Sequence, residues 1–575
     1  MNHPLLVRPG LDFLLYDWLK LDDLLMQQGH HSRETIDAIM DIAEKLAVEA
    51  FLPHFKEADQ NEPTLAPDGV HILPAIGDAL RQYAELGFFA AGFPEDLGGL
   101  ALPFTVSASC YAWFAAANAS TAAYPMLTAA NARLIAAFGS PAQIETFALP
   151  QIEGRWFGTM CLSEPQAGSD LAAVRTRAVA DGEDDLGQRY RITGNKMWIS
   201  GGDQDVSENI VHLVLAKIPD ADGSLPSGTK GLSLFIVPRD LSDGKSNDVS
   251  VAGLNHKMGY RGTANCLLNF GENDGASGWL VGQAGDGLRQ MFMMMNEARI
   301  SVGIGAAAMG YRGYRHSLAY ARERIQGRSR TSGDSIPIIE HADVRRMLLA
   351  QKAYGEGALA LCLYCAHLVD QEQAGDEDAA ALLALLTPVA KTFPSEFGLT
   401  ANDLAIQVHG GYGYTRDFDV EQLYRDNRLN PIHEGTTGVQ GQDLLGRKIL
   451  YDGKGYTLLQ GRILATQQRA AGLAELASFG TGLQSVWYEL DEAIANIRTR
   501  PSDSQLDNAT LFLRAFGHGV TAWLWLDLAT TELEQKQAGK AVAHDGFADS
   551  LAACRYFFDY EVPLVSAWLK TVNSA

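Results

Sequence analysis

Three segments of this 575-residue chain gather residue types that can do chemistry. The first is CLSEPQAGSD, residues 161–170. Ser163 and Ser169 offer hydroxyls there, and Gly168 lets backbone approach a ligand closely. The second is NKMWISGG, residues 195–202, where the indole of Trp198 can stack on a flat ring and the hydroxyl of Ser200 can donate to it. The third is VHGGYGYTRDFDVEQLYRDNRLNPIHEGTTG, residues 408–438. It holds paired Gly410 and Gly411, the Arg425–Asp426 pair, and Glu434 in a turn bounded by Pro and Gly. A carboxylate on such a loop, rather than on a solvated helix face, is a candidate general base. Taken singly, each segment has an ordinary reading that is also the commoner one: a surface turn, a core tryptophan before a turn, an exposed loop glutamate.

The elements around these segments must position them. Residues 11–27 read as one amphipathic helix, a short leading arm. Ser32 caps a helix that runs through RETIDAIMDIAEKLAVEAFL, with Glu34 and Asp37 in its first turn. Up to about residue 150 the pattern is helical and rich in Ala and Leu, and ASTAAYPMLTAANARLIAAFG is crowded with small residues that suit tight packing. From residue 156 the texture turns to strands: RYRITGNKMWISGG, NIVHLVLAKI, KGLSLFIVPR and ANCLLNFG are short, β-branched or alternating, and separated by turn residues. Long helical patterns resume from residue 286 and continue, as further helices, over 451–575. No internal repeat is visible. The expected order is an arm (1–32), an N-terminal all-α domain (33–155), a middle β domain (156–285), a helical bundle (286–450) and an additional helical domain (451–575).

Composition narrows the function classes. The chain has 46 Lys and Arg against 69 Asp and Glu, a net charge of −23. Such a surface disfavours nucleic acid as the main partner, because duplex binding needs dense Lys and Arg. Six scattered cysteines do not make a disulfide scaffold. Cys362 and Cys365 lie in an apolar helical run and read as core. No apolar stretch reaches membrane-spanning length, so a cytoplasmic protein is expected. Gly303, Gly305 and Gly310 resemble a dinucleotide fingerprint, but no strand precedes them, and close helix packing is the better reading. Met291, Met293, Met294 and Met295 read as core or pocket lining, and no spacing suggests a metal site.

The segments gain weight from their order. Over roughly residues 35–450 the chain resembles the acyl-CoA dehydrogenase family. CLSEPQAGSD and NKMWISGG are similar to its two flavin-binding stretches, QVHGGYGYTRDFDVEQLYRD to its late helical stretch, and HEGT to the loop that presents the catalytic glutamate. The resemblance implies an α+β fold: an all-α N-terminal domain, a β-barrel-like middle domain, a C-terminal four-helix bundle and, here, an extra helical domain. It also implies non-covalent FAD, an acyl-CoA substrate, electron-transfer flavoprotein as electron acceptor, and no nucleic-acid partner. The extension past residue 450 is similar to that of the larger very-long-chain and methylthiopropionyl-type members, which favours a homodimer.

Residue by residue, the resemblance implies that Glu434 takes the α-proton of the thioester. Met160, Leu162, Ser163, Gly168 and Ser169 would line the flavin and, at Ser169, the start of the CoA channel. Trp198, Ile199 and Ser200 would flank the isoalloxazine, with Thr436 bordering it. Arg324, Gln407, Gly410 and Gly411 would approach the flavin diphosphate of a neighbouring subunit. Asn296 and Arg299 would meet the CoA arm, and Gly435 would border the thioester. Where many relatives carry Gln two residues after Thr436, this chain has Gly438.

Two other functions share this framework. An acyl-CoA oxidase would run the same half-reaction with dioxygen as acceptor. A DNA-associated, alkylation-response member would carry a basic C-terminal region, whereas residues 541–575 hold only Arg555 and Lys570 as strong bases. Replacing Arg324 with Ala is expected to weaken FAD retention, measured as flavin occupancy after dialysis; unchanged occupancy would count against a cross-subunit role.

Overall fold

In a computed structural model the structure describes residues 3–540, 542 and 546–574, with the backbone alone at 293–295. The chain forms two compact units: Asp41–Pro103 with Ala117–Ala298, and Met1–Met40 with Phe104–Ala116 and Arg299–Ala575.

The first unit is built on a β domain. Its strands are β3 (Trp156–Cys161), β4 (Arg177–Asp184), β5 (Gly187–Ser200), β6 (Asn209–Lys217), β7 (Leu232–Pro238), β8 (Val249–Leu254), β9 (Asn265–Phe270) and β10 (Ala276–Leu280). They form one eight-stranded sheet. It closes on itself because β10 pairs with both β7, at Trp279↔Ile236, and β5, at Ala276↔Ile192. Every residue of β6 and β7 is buried. Strands covered on both faces read as continuous apolar runs, which is why NIVHLVLAKI and KGLSLFIVPR lack alternation. The β5–β9 ladder shifts register between Lys196 and Ile199. That irregularity falls on Trp198, whose φ of 65° places a bulky residue in the left-handed region.

The N-terminal stretch expected to be all-α also carries a hairpin, β1 (Thr64–Ala66) with β2 (Gly69–His71). Its three-residue strands are too short to announce themselves by pattern. Distant groups hold them: Asp203 accepts from Val70 N–H, Asp205 accepts from Ile72 N–H, and His71 sits between Asp68 and Asp205. A second unexpected hairpin, β11 (Ile325–Arg328) with β12 (Ser335–Pro337), occupies the insertion-like stretch after Arg324.

The second unit is helical. The leading arm is not one helix, as its periodicity suggests. It is helical over Arg8–Asp12, widens to a π-helix through Trp18, breaks at left-handed Lys20 (φ 57°), and resumes over Leu21–Gln28. The break lets Leu11, Leu15, Leu21 and Leu25 all bury, and Trp18 Nε1 donates to Asp527 at 2.8 Å. Ser32 does cap Arg33–Leu46, accepting from Thr35 N–H at 3.3 Å. Ala342–Gln373, Glu377–Phe393 and Leu399–His409 pack with the long Gly287–Glu323 helix. Close approach explains the glycines of that helix: a Cβ on Gly303 would lie 2.0 Å from Ala390 O, and one on Gly310 2.9 Å from Gly398 Cα. Cys362 and Cys365 are free, buried thiols of the core, as their apolar setting implies. Met291 is core too, 2% exposed; the reading of Met293, Met294 and Met295 as pocket lining lies outside the described side chains.

A buried carboxylate starts the Phe104–Phe138 helix. Asp370, 1% exposed, accepts from Phe104 N–H at 2.5 Å, from Thr105 N–H at 2.9 Å and from the Thr105 hydroxyl. These amides are orphans that no earlier turn can satisfy. Asp370→Ala is therefore expected to lower stability by about 2–4 kcal/mol, read as a lower thermal midpoint. An unchanged midpoint would show that the cap contributes nothing.

Candidate active site

The two segments singled out in the β domain are laced together by one buried ion pair. Lys196, 1% exposed on β5, donates to Glu164 Oε1 at 2.9 Å and to the carbonyls of Leu162 (3.0 Å) and Leu215 (2.8 Å). Glu164 also accepts from Arg175 N–H (2.8 Å), Thr176 N–H (3.0 Å) and the Thr176 hydroxyl (2.6 Å). Burial alone would raise its carboxyl, but the Lys196 charge and these donors hold it below the ordinary range. A buried pair stands only when its remaining donors and acceptors are filled, and here they are. Met197 N–H donates to Ser163 O at 3.0 Å, so CLSEPQAGSD and NKMWISGG run side by side.

Along this edge the predicted residues take different positions. Met160 and Leu162 are half-buried against the barrel core. Ser163 is half-buried, and Gly168 and Ser169 are exposed. Ile199 is 2% exposed, so its side chain belongs to the core and only its backbone is left for a ligand. Ser200 Oγ accepts from Asn265 Nδ2 at 3.2 Å. Trp198 is 57% exposed although it is a large aromatic, because the bulge turns it out of the ladder. An outward indole in a strained conformation, next to a hydroxyl and an open glycine turn, suits a flat polar-edged ring such as a flavin.

Glu434 stands in a loop with its own strain. Its φ is 53°, and that of Gly435 is 90°. A Cβ at 435 would meet Gln440 Nε2 at 2.6 Å, so glycine is required there. Lys391 donates to the carbonyls of Asn430 (2.6 Å) and Gly435 (2.8 Å), and Gln440 Nε2 donates to Glu434 O at 3.1 Å. Thr436 caps the following helix, accepting from Val439 N–H at 3.4 Å. His433 pairs through Nε2 with Asn430 Oδ1 at 2.9 Å, and burial pushes its imidazole down to about 3, so it is neutral and donates there.

The Glu434 carboxylate makes no hydrogen bond or ion pair among the described residues, and it keeps solvent access. Desolvation by the surrounding protein raises its pKa, with the Lys391 and Arg299 charges opposing the rise. Arg299, expected at the CoA arm, is turned inward. It is 5% exposed and paired with Asp443 at 3.0 Å, while Asp443 also meets Arg447 at 2.9 Å. Asn296 is half-buried.

The residues expected at a flavin diphosphate fall close together. Tyr320 stacks on His409 with ring centroids 4.4 Å apart, which sets the end of the long helix against the Gly410 turn. Arg324 lies 5.9 Å from the Tyr412 ring, and Arg324, Gln407, Gly410 and Gly411 are all exposed.

Sequence reading missed Lys391, Gln440, Lys196 and Glu164. Lys391 had a signal, since it is the one charge inside LLALLTPVAKTF. Lys196 and Glu164 lie within the chosen motifs, but only their burial against each other gives them a role.

Family models agree with this architecture along the chain. Matches are the acyl-CoA dehydrogenase N-terminal domain (33–155), middle domain (159–272) and C-terminal domain (285–449), then an acetyl-CoA dehydrogenase C-terminal-like domain (459–575). The chain is 38% identical over 488 residues to a 3-methylmercaptopropionyl-CoA dehydrogenase of Ruegeria pomeroyi, covering 80% of each. It is 33% identical over 600 residues to the broad-specificity linear acyl-CoA dehydrogenase FadE5 of Mycobacterium tuberculosis, covering 98% of this chain and 96% of the relative. In fold it is similar to Caenorhabditis elegans ACDH-11, solved with C11-CoA, with a TM-score of 0.77 at 20% identity over 98% of this chain and 92% of that one. By these full-length likenesses, the chain belongs to the acyl-CoA dehydrogenase family.

Proposed function

We propose that Glu434 is the base of this FAD-dependent acyl-CoA dehydrogenase and takes the α-proton of an acyl-CoA thioester. The observation that carries the reading is a loop carboxylate with no ion pair among the described residues, held at a φ of 53° beside a glycine at a φ of 90°. An α-C–H beside a thioester is a very weak acid, so its removal needs a positioned base and a stabilised enolate oxygen. Glu434 N–H finds no acceptor among the described residues and is available to that oxygen. A carboxylate raised by desolvation is a better proton acceptor near neutral pH than an ordinary one. FAD, when bound, supplies the acceptor for the β-hydrogen as hydride, and the product is a trans-2-enoyl-CoA.

For the flavin, Trp198 and Ser200 would flank the ring, with Ser163, Gly168 and Ser169 at its edge and Thr436 bordering it. Arg324, Gln407, Gly410 and Gly411 would meet the diphosphate. The exposed Gly-Tyr-Gly-Tyr turn beside Arg324 supports a homodimer, with Tyr414 87% exposed and Tyr412 53%. Electron-transfer flavoprotein would be the electron acceptor. Both relatives named above are dehydrogenases, which supports dehydrogenation over oxidase or DNA-associated roles. The substrates those relatives are named for, a methylthio-substituted acyl-CoA and linear acyl-CoAs, are the classes to test first. No helix among the described residues is long and apolar enough to cross a membrane. We place the protein in the cytoplasm on the notional ground of its acidic, disulfide-free composition.

Glu434→Gln is expected to abolish α-proton abstraction while the protein stays yellow. A positioned base contributes at least about a hundredfold, so activity kept within about tenfold would remove the assignment. Because the base must be ionised, kcat in the wild type should rise with pH through a value above the ordinary glutamate range. An acid limb at or below that range would contradict the desolvated setting.

A further inference from the structure

The loop that carries Glu434 is closed by a buried charge no part of the reaction consumes. Lys391 is fully buried on the Glu377–Phe393 helix. Its ammonium donates to two carbonyls that bracket residues 431–434: Asn430 O at 2.6 Å and Gly435 O at 2.8 Å. A lysine buried in an apolar helix costs free energy unless its protons are used, and these contacts use two of them.

The far side of the clasp is anchored as well. Asn430 Nδ2 donates to Asn427 Oδ1 (2.9 Å), and Asn427 Nδ2 donates to Asn402 Oδ1 (2.7 Å) and Ala306 O (3.1 Å). Asn402 Nδ2 donates in turn to Met309 O at 2.9 Å. A line of buried amides thus ties the loop to the long Gly287–Glu323 helix. Gln440 pins the Glu434 carbonyl and Lys391 the Gly435 carbonyl, so both peptide planes after the carboxylate are fixed.

We propose that Lys391 is a positioning residue of the dehydrogenation: by clasping Asn430 O and Gly435 O it holds the left-handed loop in which Glu434 meets the substrate α-proton. This rests on Glu434 being the base. The groups that act on the pair are few. Burial lowers Lys391 to about 8, Glu434 and Glu396 opposing this and Arg299 adding to it, while His433 beside it is neutral. Lys391 in turn opposes the rise that burial imposes on Glu434.

The test uses the FAD-loaded full chain and two variants. Lys391→Met removes donors and charge at similar length. It is expected to lower kcat about tenfold to a hundredfold and to leave KM for the acyl-CoA within about threefold. Because a cation near Glu434 is gone, the acid limb of kcat should move to higher pH, by about half a unit or more. The same variant should slow exchange of the substrate α-proton into D2O, which reads the base without hydride transfer. Lys391→Gln keeps a donor without the charge. It should recover part of kcat but share the shifted acid limb, and it carries the test if the Met variant does not accumulate as folded protein. A folded variant with kcat within about twofold, or one whose loss of kcat leaves the acid limb unmoved, overturns the proposal. Glu434→Gln run alongside separates the two readings. If it still turns over, both fall; if it is inactive while Lys391→Met is unaffected, only the role of Lys391 falls.

Discussion

The left-handed backbone at Glu434 and Gly435 is the constraint on which the surroundings of this carboxylate depend. Left-handed φ at a non-glycine residue costs of order 1–3 kcal/mol and survives only where neighbours over-determine it. Here they do: Lys391 and Gln440 bind the carbonyls, Thr436 caps the next helix, and a glycine stands where any Cβ would strike Gln440. In this conformation the Glu434 carboxylate has no ion pair among the described residues. Arg299 is the obvious partner, and Asp443 has taken it.

The β domain solves a parallel problem with the same device. In a regular ladder the residues beside inward Lys196 and Ile199 would alternate strictly between the core and the outer face. The bulge between Lys196 and Ile199 breaks the alternation by one step. Lys196 and Ile199 turn inward on either side, and Trp198 turns out at a φ of 65°. The Glu164–Lys196 pair then fixes the neighbouring loop to the same strand. In both places a buried lysine binds backbone carbonyls next to a non-glycine residue in the left-handed region. Each spends desolvation energy to hold a shape that apolar packing alone does not specify.

Much of this was legible before any coordinates. Unbroken apolar runs announced β6 and β7, Ser32 announced a cap, and the order of CLSEPQAGSD, NKMWISGG and HEGT announced the family. The misreadings share a cause. The arm looked like one helix because its leucine spacing is helical, but burial on two faces needed a break at Lys20. The hairpins were invisible because three-residue strands carry no period, and their stability comes from Asp203 and Asp205, more than a hundred residues away in sequence.

Sequence by itself determined the family and its reaction class, because chemistry is carried by side-chain type and its order along the chain. It also determined the succession of elements, since periodicity and turn residues are local. Tertiary structure alone decided which charges are spent inside. Whether Lys391 is a surface cation or a clasp, whether Arg299 is free or paired, and whether Glu434 is ionised easily or reluctantly all depend on burial and on partners distant in sequence. Those are properties of three-dimensional packing, and no local pattern encodes them.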